Sequence, residues 1–279
     1  MHITITKADG SQEFFKIEKL RRSLRRAGAT PEEINSIVST ILSELYDGIK
    51  TQEIYRRAFA LLRENGLPVA ARYSLRRALF SLGPTGFPFE LFLARLFTAE
   101  GYNTRTGIMI EGHCATHEID FAAFNDTDSF VGEAKFHSRP GVKTDLQVAL
   151  YSYARLLDLR DNRICAESIC DIKEFWLVTN TKFTSAVERY AECTGLNLLS
   201  WDYPKKNNLH DRIQRARIYP ITVLQKLSVS QIKILIDRNI IVCQDLLANP
   251  NVLRHLHIST RKHEALIAEA NAIIMGKIT

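Results

Sequence analysis

The sequence has little cysteine and no cysteine pattern. Its five cysteines, Cys114, Cys165, Cys170, Cys193 and Cys243, are odd in number, scattered and without a C-x-x-C pair. That spacing excludes a disulfide framework and a cysteine-built zinc site, and leaves reduced thiols as the expectation. No apolar run is long enough to span a bilayer, and the opening residues Met1-His2-Ile3-Thr4-Ile5-Thr6-Lys7 lack the core of a signal peptide. A cytoplasmic protein with no membrane partner is the expectation. Internal repeats, low-complexity segments and a Walker-type glycine loop are also missing, so nucleotide hydrolysis is not expected.

What is present is an ordinary globular composition, with 46% hydrophobic and 24% charged residues over 279 positions. That length accommodates two or three domains with sizeable cores. The formal charge of +6 favours an anionic partner.

The most informative stretch is Glu118-Ile119-Asp120-Phe121-Ala122-Ala123-Phe124, then the turn cluster Asn125-Asp126-Thr127-Asp128, then Ser129-Phe130-Val131-Gly132-Glu133-Ala134-Lys135-Phe136. Two apolar runs around an Asn/Asp cluster read as a β-hairpin. Each run nevertheless carries charge where a buried strand should carry none. Glu133 and Lys135 are two apart on one strand and share a face, and the antiparallel neighbour brings Asp120 beside them. Two carboxylates suit a hard cation such as Mg²⁺ or Mn²⁺, and a lysine can orient a water or stabilise a pentacovalent phosphate. A surface hairpin with a solubilising Glu/Lys pair is the plainer reading; strands this apolar argue against it.

Ile119-Asp120, Glu133-Ala134-Lys135 and Gln147-Val148-Ala149-Leu150-Tyr151 resemble the PD-(D/E)XK nuclease superfamily, in its Mrr-like restriction-endonuclease branch. The resemblance spans roughly Phe87 to Tyr203, with Ile119 in place of the motif's proline. It implies a mixed sheet flanked by helices, with Asp120, Glu133 and the Ala134 carbonyl as metal ligands. It further implies Lys135 positioning the attacking water and Gln147 fixing Lys135 or a phosphate, with Tyr151 directed toward DNA backbone. Glu90, in the first turn of a helix opened by Pro88, is either an extra ligand and water-orienting base or a complement to the helix dipole. His113, Cys114 and His117 have no fourth ligand nearby in sequence, which argues against a separate zinc site.

The amino-terminal segment, residues 1–83, begins with a hairpin closed by Asp9-Gly10. A helix follows with Ile17, Leu20, Leu24 and Ala27 on its apolar side. The next starts at the capping box Thr30-Pro31-Glu32-Glu33, a third is expected to be capped by Thr51, and a fourth runs from about Val69 to Leu82. Ile5-Thr6-Lys7-Ala8-Asp9-Gly10, Glu18-Lys19-Leu20, Tyr46-Asp47-Gly48-Ile49-Lys50-Thr51 and Ala70-Ala71-Arg72-Tyr73 closely resemble the ATP-cone, the nucleotide-binding regulatory module of ribonucleotide reductases and of their repressor. The resemblance implies binding of ATP or dATP, with Lys7 and Lys19 on the phosphates, Glu13 near the base or sugar, and Thr51 at a helix mouth. Ala8 stands where the family usually carries arginine.

Ser81-Leu82-Gly83-Pro84-Thr85-Gly86-Phe87-Pro88 reads as a linker into the central domain, residues 87–204. There the helix from about Lys143 to Leu157 is expected to bury Leu146, Ala149, Leu150, Tyr153, Leu156 and Leu157. Glu174–Thr179 reads as a buried strand, Thr184 to Cys193 as a helix, and Leu196 to Trp201 as another strand. After the basic linker Lys205-Lys206-Asn207-Asn208, residues 210–279 show helical patterns only. They faintly resemble a helix-hairpin-helix module without its glycine, and a dimerisation domain is an equal alternative.

The expected fold is α/β and multidomain: a small β-hairpin plus helical bundle, a restriction-endonuclease-like mixed sheet, and an all-α carboxy-terminal segment. The expected function is an ATP- or dATP-regulated, divalent-metal-dependent DNA endonuclease that restricts foreign DNA, acting as a homo-oligomer. A non-cleaving nucleotide-sensing DNA-binding regulator and a repair or Holliday-junction nuclease are the alternatives.

Overall fold

The computed structural model describes residues 3–7, 9–160 and 172–276; Ala8, Cys165 and Cys170 lie outside them. The chain is mixed α/β and divides into two units. One comprises Met1–Ala78, Tyr219–Leu235 and Cys243–Thr279, the other Leu79–Ile218 and Ile236–Val242.

In the first unit, β1 (Thr4–Thr6) pairs antiparallel with β2 (Gln12–Phe14) around the Asp9-Gly10 turn. Gly10 has φ +82, which a glycine adopts without strain. Helix α1 (Ile17–Arg26) buries Leu20 and Leu24, and α2 (Pro31–Glu44) starts at a complete capping box between Thr30 and Glu33. A short third strand, β3 (Ile49–Lys50), lies parallel to β1 and gives the order β2-β1-β3. Two residues of pairing are too short to carry a sequence signal of their own.

Helix α3 (Thr51–Asn65) departs from expectation at its start. The N-cap is Lys50, without a side-chain cap hydrogen bond, and Thr51 is the first helical residue. The strand pairing holds Lys50 in extended geometry (φ -76, ψ 137), and this moves the cap one position earlier. The single helix expected over 69–82 is two, α4 (Leu67–Tyr73) and α5 (Leu75–Phe80). They break at Ser74, whose hydroxyl donates to the Ala71 carbonyl (2.7 Å), a local bond that competes with helix continuation.

The second unit opens with α6 (Phe87–Ala99), followed by β4 (Asn103–Glu111), β5 (Thr116–Phe124) and β6 (Ser129–Lys135) as an antiparallel meander. After β7 (Lys143–Thr144), α7 (Leu146–Leu159) is capped by Asp145, whose carboxylate accepts from the Val148 amide. Then come β8 (Glu174–Thr179), β9 (Lys182–Phe183), α8 (Ser185–Thr194), β10 (Asn197–Leu199) and α9 (Leu209–Ala216). The main sheet has the order β10-β8-β6-β5-β4, with β6, β8 and β10 mutually parallel, while β7 and β9 form a separate parallel pair.

Phe97 of α6 packs on Phe121, Phe130 and Trp176 of the sheet, its ring 5.1 Å from that of Phe130. A second apolar cluster joins Val131, Phe175 and Leu177 to Ala149, Leu156 and Leu159 of α7 and to Val187 of α8. Gly132 sits where a Cβ would collide with the Phe121 ring and the Trp176 carbonyl. Helix α7 buries Ala149, Ser152, Leu156 and Leu159, whereas Leu150 and Leu157, expected inside, are 47% and 50% exposed. Its inward stripe is rotated because Tyr151 and Arg155, half-buried, lean toward β6.

The carboxy-terminal residues add α10 (Val229–Ile236), α11 (Cys243–Ala248) and α12 (Thr260–Met275), with 3-10 turns at Ile221–Val223 and Pro250–Leu256. Within the first unit α12 packs on α4, where buried Arg72 donates to the Gly276 carbonyl (3.2 Å). Thr222 donates to the Ala78 carbonyl (2.6 Å). No helix among the described residues is long and apolar enough to cross a membrane.

Candidate functional site

Pairing between β5 and β6 begins at Phe124–Ser129 and stops at Phe121–Gly132. The next residue outward on each strand is a carboxylate: Asp120 on β5 and Glu133 on β6. The Ala134 amide, no longer in the β5 ladder, donates to Asp120 Oδ2 at 2.7 Å. An acid at this position therefore replaces the missing strand partner of a backbone N–H, which fixes its orientation.

Glu133 is held from α7. Its Oε1 accepts a very short hydrogen bond from the Tyr151 hydroxyl, and its Oε2 takes Arg155 Nη1 at 2.6 Å. Tyr151 and Arg155 are four apart, so they share one helical face, and the guanidinium lies 5.0 Å from the Tyr151 ring centroid. Tyr151, expected toward DNA backbone, thus faces the carboxylate instead. Burial first, then the hydrogen bond and charge of Glu133, push the Tyr151 phenol well above its ordinary range.

Asp120 is pushed up to about 6 by burial and then by the charge of Glu133, opposed by the Ala134 amide and Arg155. Glu90, half-buried in the first turn of α6, reaches about 7 through burial and the charges of Asp120, Glu133 and Glu118. Three carboxylates on three elements therefore feel one another. Lys135 is half-buried at the end of β6, and its side chain has no ion-pair partner among the described residues. Its carbonyl accepts from Thr179 (2.8 Å). His137, beyond it, donates its backbone amide to Asn180 (2.9 Å) and is held below its usual range by burial and then by Lys135. Gln147 lies exposed in the first turn of α7, and its side chain makes no hydrogen bond among the described residues.

The structure thus sets Asp120 beside Glu133, leaves Glu90 near enough to feel their charges, places Lys135 two residues from Glu133, and leaves Gln147 at the helix edge. Arg155 was not singled out in the sequence; the signal for it is the run Gln147, Tyr151, Arg155 at four-residue steps on one helix. The carboxylates and the Ala134 carbonyl are oxygen donors of the kind a hard divalent cation takes, while both Glu133 oxygens are engaged from α7. Asp120 and Glu133, with the Ala134 carbonyl, are the residues that would hold it. Among the described residues no three His, Cys, Asp or Glu side chains converge as a metal-holding group.

The loop carrying His113 and Cys114, with His117 at the start of β5, is tied to the end of α7. Asp158 accepts from His117 Nε2 (2.6 Å) and from the amides of Cys114 (2.7 Å) and Ala115 (3.1 Å). The His117 bond leads in holding the Asp158 carboxyl down at about 2.

In the other unit, Glu13 on β2 sits between two lysines, Lys7 at 2.9 Å and Lys19 at 2.7 Å. Their hydrogen bonds, Lys19 first, hold the Glu13 carboxyl down at about 2. Thr51 begins α3 directly after the Thr6–Lys50 pair, so it and Lys7 leave adjacent parallel strands at the same level. A short cationic pair and a helix N-terminus thus meet at one end of the β2-β1-β3 sheet.

Comparison with known proteins gives two family matches, which fall mainly within the first unit. Residues 3–80 match the ATP cone domain, and residues 219–274 match the AF1548-like C-terminal domain. A solved structure described as a protein of unknown function, AF1548, aligns over 69% of this chain and 100% of its own, with 32% identity and a TM-score of 0.55. An uncharacterized protein of Archaeoglobus fulgidus is 33% identical over 183 residues, which are 65% of this chain and 99% of that protein. With an ATP cone at its amino terminus and a relative matched over nearly its whole length, the chain belongs to the AF1548-like family.

Proposed function

We propose that the second unit is a divalent-metal-dependent DNA endonuclease of the PD-(D/E)XK, Mrr-like type, and that nucleotide bound at the cone governs it. The observation that carries this reading is the pair Asp120 and Glu133, side by side where the β5 and β6 ladder ends, with Lys135, which has no ion-pair partner among the described residues, two residues on. A divalent cation at the carboxylates supplies charge neutralisation for a phosphodiester under attack. Asp120, oriented by the Ala134 amide, and Glu133, oriented by Tyr151 and Arg155, fix the position of that charge. Lys135 presents a compact ammonium that orients the attacking water and stabilises the phosphorane. Glu90, held to about 7, is poised to exchange a proton near neutrality. Gln147, on the exposed edge of α7, is available to a phosphate of the DNA.

The net charge of +6 suits a DNA substrate, and restriction of foreign DNA is the role that the likeness to Mrr-type enzymes supports. At the cone, Lys7 and Lys19 would exchange Glu13 for the phosphates of ATP or dATP, and the signal would pass through a change of oligomeric state. The test is cleavage of supercoiled plasmid with Mg²⁺ or Mn²⁺ by wild type and Lys135→Ala, with and without ATP or dATP. Nicking by wild type alone supports the nuclease, and its change with nucleotide supports the control.

A second reading, a non-cleaving nucleotide-sensing DNA-binding regulator, draws on one observation: both Glu133 oxygens are already engaged by α7. Equal inertness of wild type and Lys135→Ala under every condition, with DNA binding retained, favours it. Comparing linear with four-way DNA separates a restriction enzyme from a junction nuclease.

A further inference from the structure

The carboxy-terminal part of the first unit carries a basic corner that neither the cone nor the carboxylates of the second unit use. Between Asp245 and Glu264 the chain has no acidic residue, yet it holds Arg254, His255, His257, Arg261, Lys262 and His263. That run covers the 3-10 turn Pro250–Leu256, a left-handed residue at His257 (φ 48) and the first turn of α12.

Two contacts fold the run into one surface. His263 Nε2 lies 3.3 Å from the Pro250 carbonyl, which ties the first turn of α12 to the start of the 3-10 turn. Lys262 Nζ donates to Gln231 Oε1 (3.0 Å), which sets the start of α10 beside the start of α12. The Ser228 and Ser259 hydroxyls accept from the Gln231 and Lys262 amides, each at 3.3 Å, and so hold both helix starts in place. Arg254, His255, His257 and Arg261 are exposed there. Neither arginine has an ion-pair or hydrogen-bond partner for its side chain among the described residues. Arg57 on α3, also exposed, is by contrast paired with Glu44 at 2.7 Å. A solvated face is the plainer reading of scattered basic side chains; a run free of acids, with both of its arginines unpaired, argues against it.

The kind of anion follows from the rest of the corner. A bilayer takes a broad apolar face beside the charge, and the exposed large apolar side chain at these helix starts is Val229 alone. Guanidinia, hydroxyls and helix-start amides are the groups that contact a phosphodiester backbone. We infer that this corner binds the phosphate backbone of duplex DNA without reading its sequence, with Arg254 and Arg261 supplying the charge and Lys262, fixed by Gln231, beside them. Both the nuclease and the regulator readings take DNA as the ligand, and the inference rests on that shared premise.

The experiment is fluorescence anisotropy of a labelled duplex titrated with the full chain over a series of salt concentrations, without divalent cation so that nothing is cut. Plasmid cleavage with Mg²⁺ or Mn²⁺ is run in parallel. Each lost phosphate contact lowers the slope of log K against log salt by about 0.9, so Arg254→Gln combined with Arg261→Gln is expected to lose about 2 from the slope and to bind roughly 10²-fold more weakly near ~0.1 M salt. Arg254→Lys combined with Arg261→Lys is expected to keep most of the affinity, since a phosphate reads charge. An unchanged slope and affinity in the glutamine variant overturns the inference, and continued plasmid cleavage then leaves the nuclease reading standing. A loss that the lysine variant shares in full overturns the charge role of the arginines. Wild type that binds phosphatidylserine vesicles through these arginines and leaves duplex unbound overturns the choice of DNA. Duplex binding through the arginines with no cleavage under any condition overturns the nuclease reading alone and supports the inference.

Discussion

The Ala134 amide donates to the Asp120 carboxylate at 2.7 Å, so the acid at the end of one strand is oriented by the backbone between the Glu and Lys of the next. The same carboxylate is half-buried and faces Glu133, and both effects raise its proton affinity. That combination of a raised proton affinity and a fixed orientation is what motivates the nuclease proposal.

Asp120→Asn is expected to stabilise the metal-free protein. The folded-state value near 6 lies above the unfolded value of 3.8, so the folded chain holds the proton more tightly. Its cost is fully present above about pH 6 and disappears as pH falls below the unfolded value. The amide removes that cost while still accepting the Ala134 hydrogen bond, a gain of ~2 kcal/mol near pH 8. Thermal unfolding at about pH 8 and about pH 3 checks it: the gain should vanish at the lower pH.

Lys135→Ala is expected to lower cleavage by about 10²–10³-fold while DNA affinity changes little, as for loss of one donor to a developing anion. Single-turnover cleavage and a binding isotherm on the same duplex measure the two separately. Undiminished cleavage would remove Lys135 from the mechanism.

Lys7→Ala and Lys19→Ala are each expected to weaken ATP or dATP binding about tenfold, more at low salt than at high. Calorimetric titration at two ionic strengths provides the check. The Glu13 carboxyl, held at about 2 by these lysines, stays ionised down to that range, so nucleotide competes with a charged partner throughout the physiological pH window.

Thr30→Ala and Thr51→Ala should differ. Thr30 closes a reciprocal capping box with Glu33, and its loss is expected to cost about 1 kcal/mol. Thr51 caps nothing, since Lys50 occupies that position, and its replacement should cost only a few tenths. Equal losses in chemical denaturation would contradict the assigned helix start.

Gly132→Ala is expected to destabilise the second unit by ~3 kcal/mol, because the added methyl meets a packed ring and a backbone carbonyl, neither of which can move cheaply. A denaturation midpoint lowered by much less would mean that the strands can part there.

The sequence alone determined what depends on near neighbours. The Asn125–Asp128 turn, the Thr30 capping box, the alternation along β5 and β6 and the Asp9-Gly10 hairpin are local arrangements, and each is written in adjacent residues. The alignment of Asp120 with Glu133 was legible for the same reason, because a tight hairpin fixes its own register. What spans the chain was decided only by tertiary structure. Pairing of Lys50 with Thr6 moved the cap of α3, and the lean of Tyr151 and Arg155 toward Glu133 rotated α7 and exposed Leu150 and Leu157. The docking of α12 on α4, two hundred residues apart, follows no local rule either. Periodicity states that a helix has an apolar side; which residues it finally buries depends on the partner that a distant part of the chain presents.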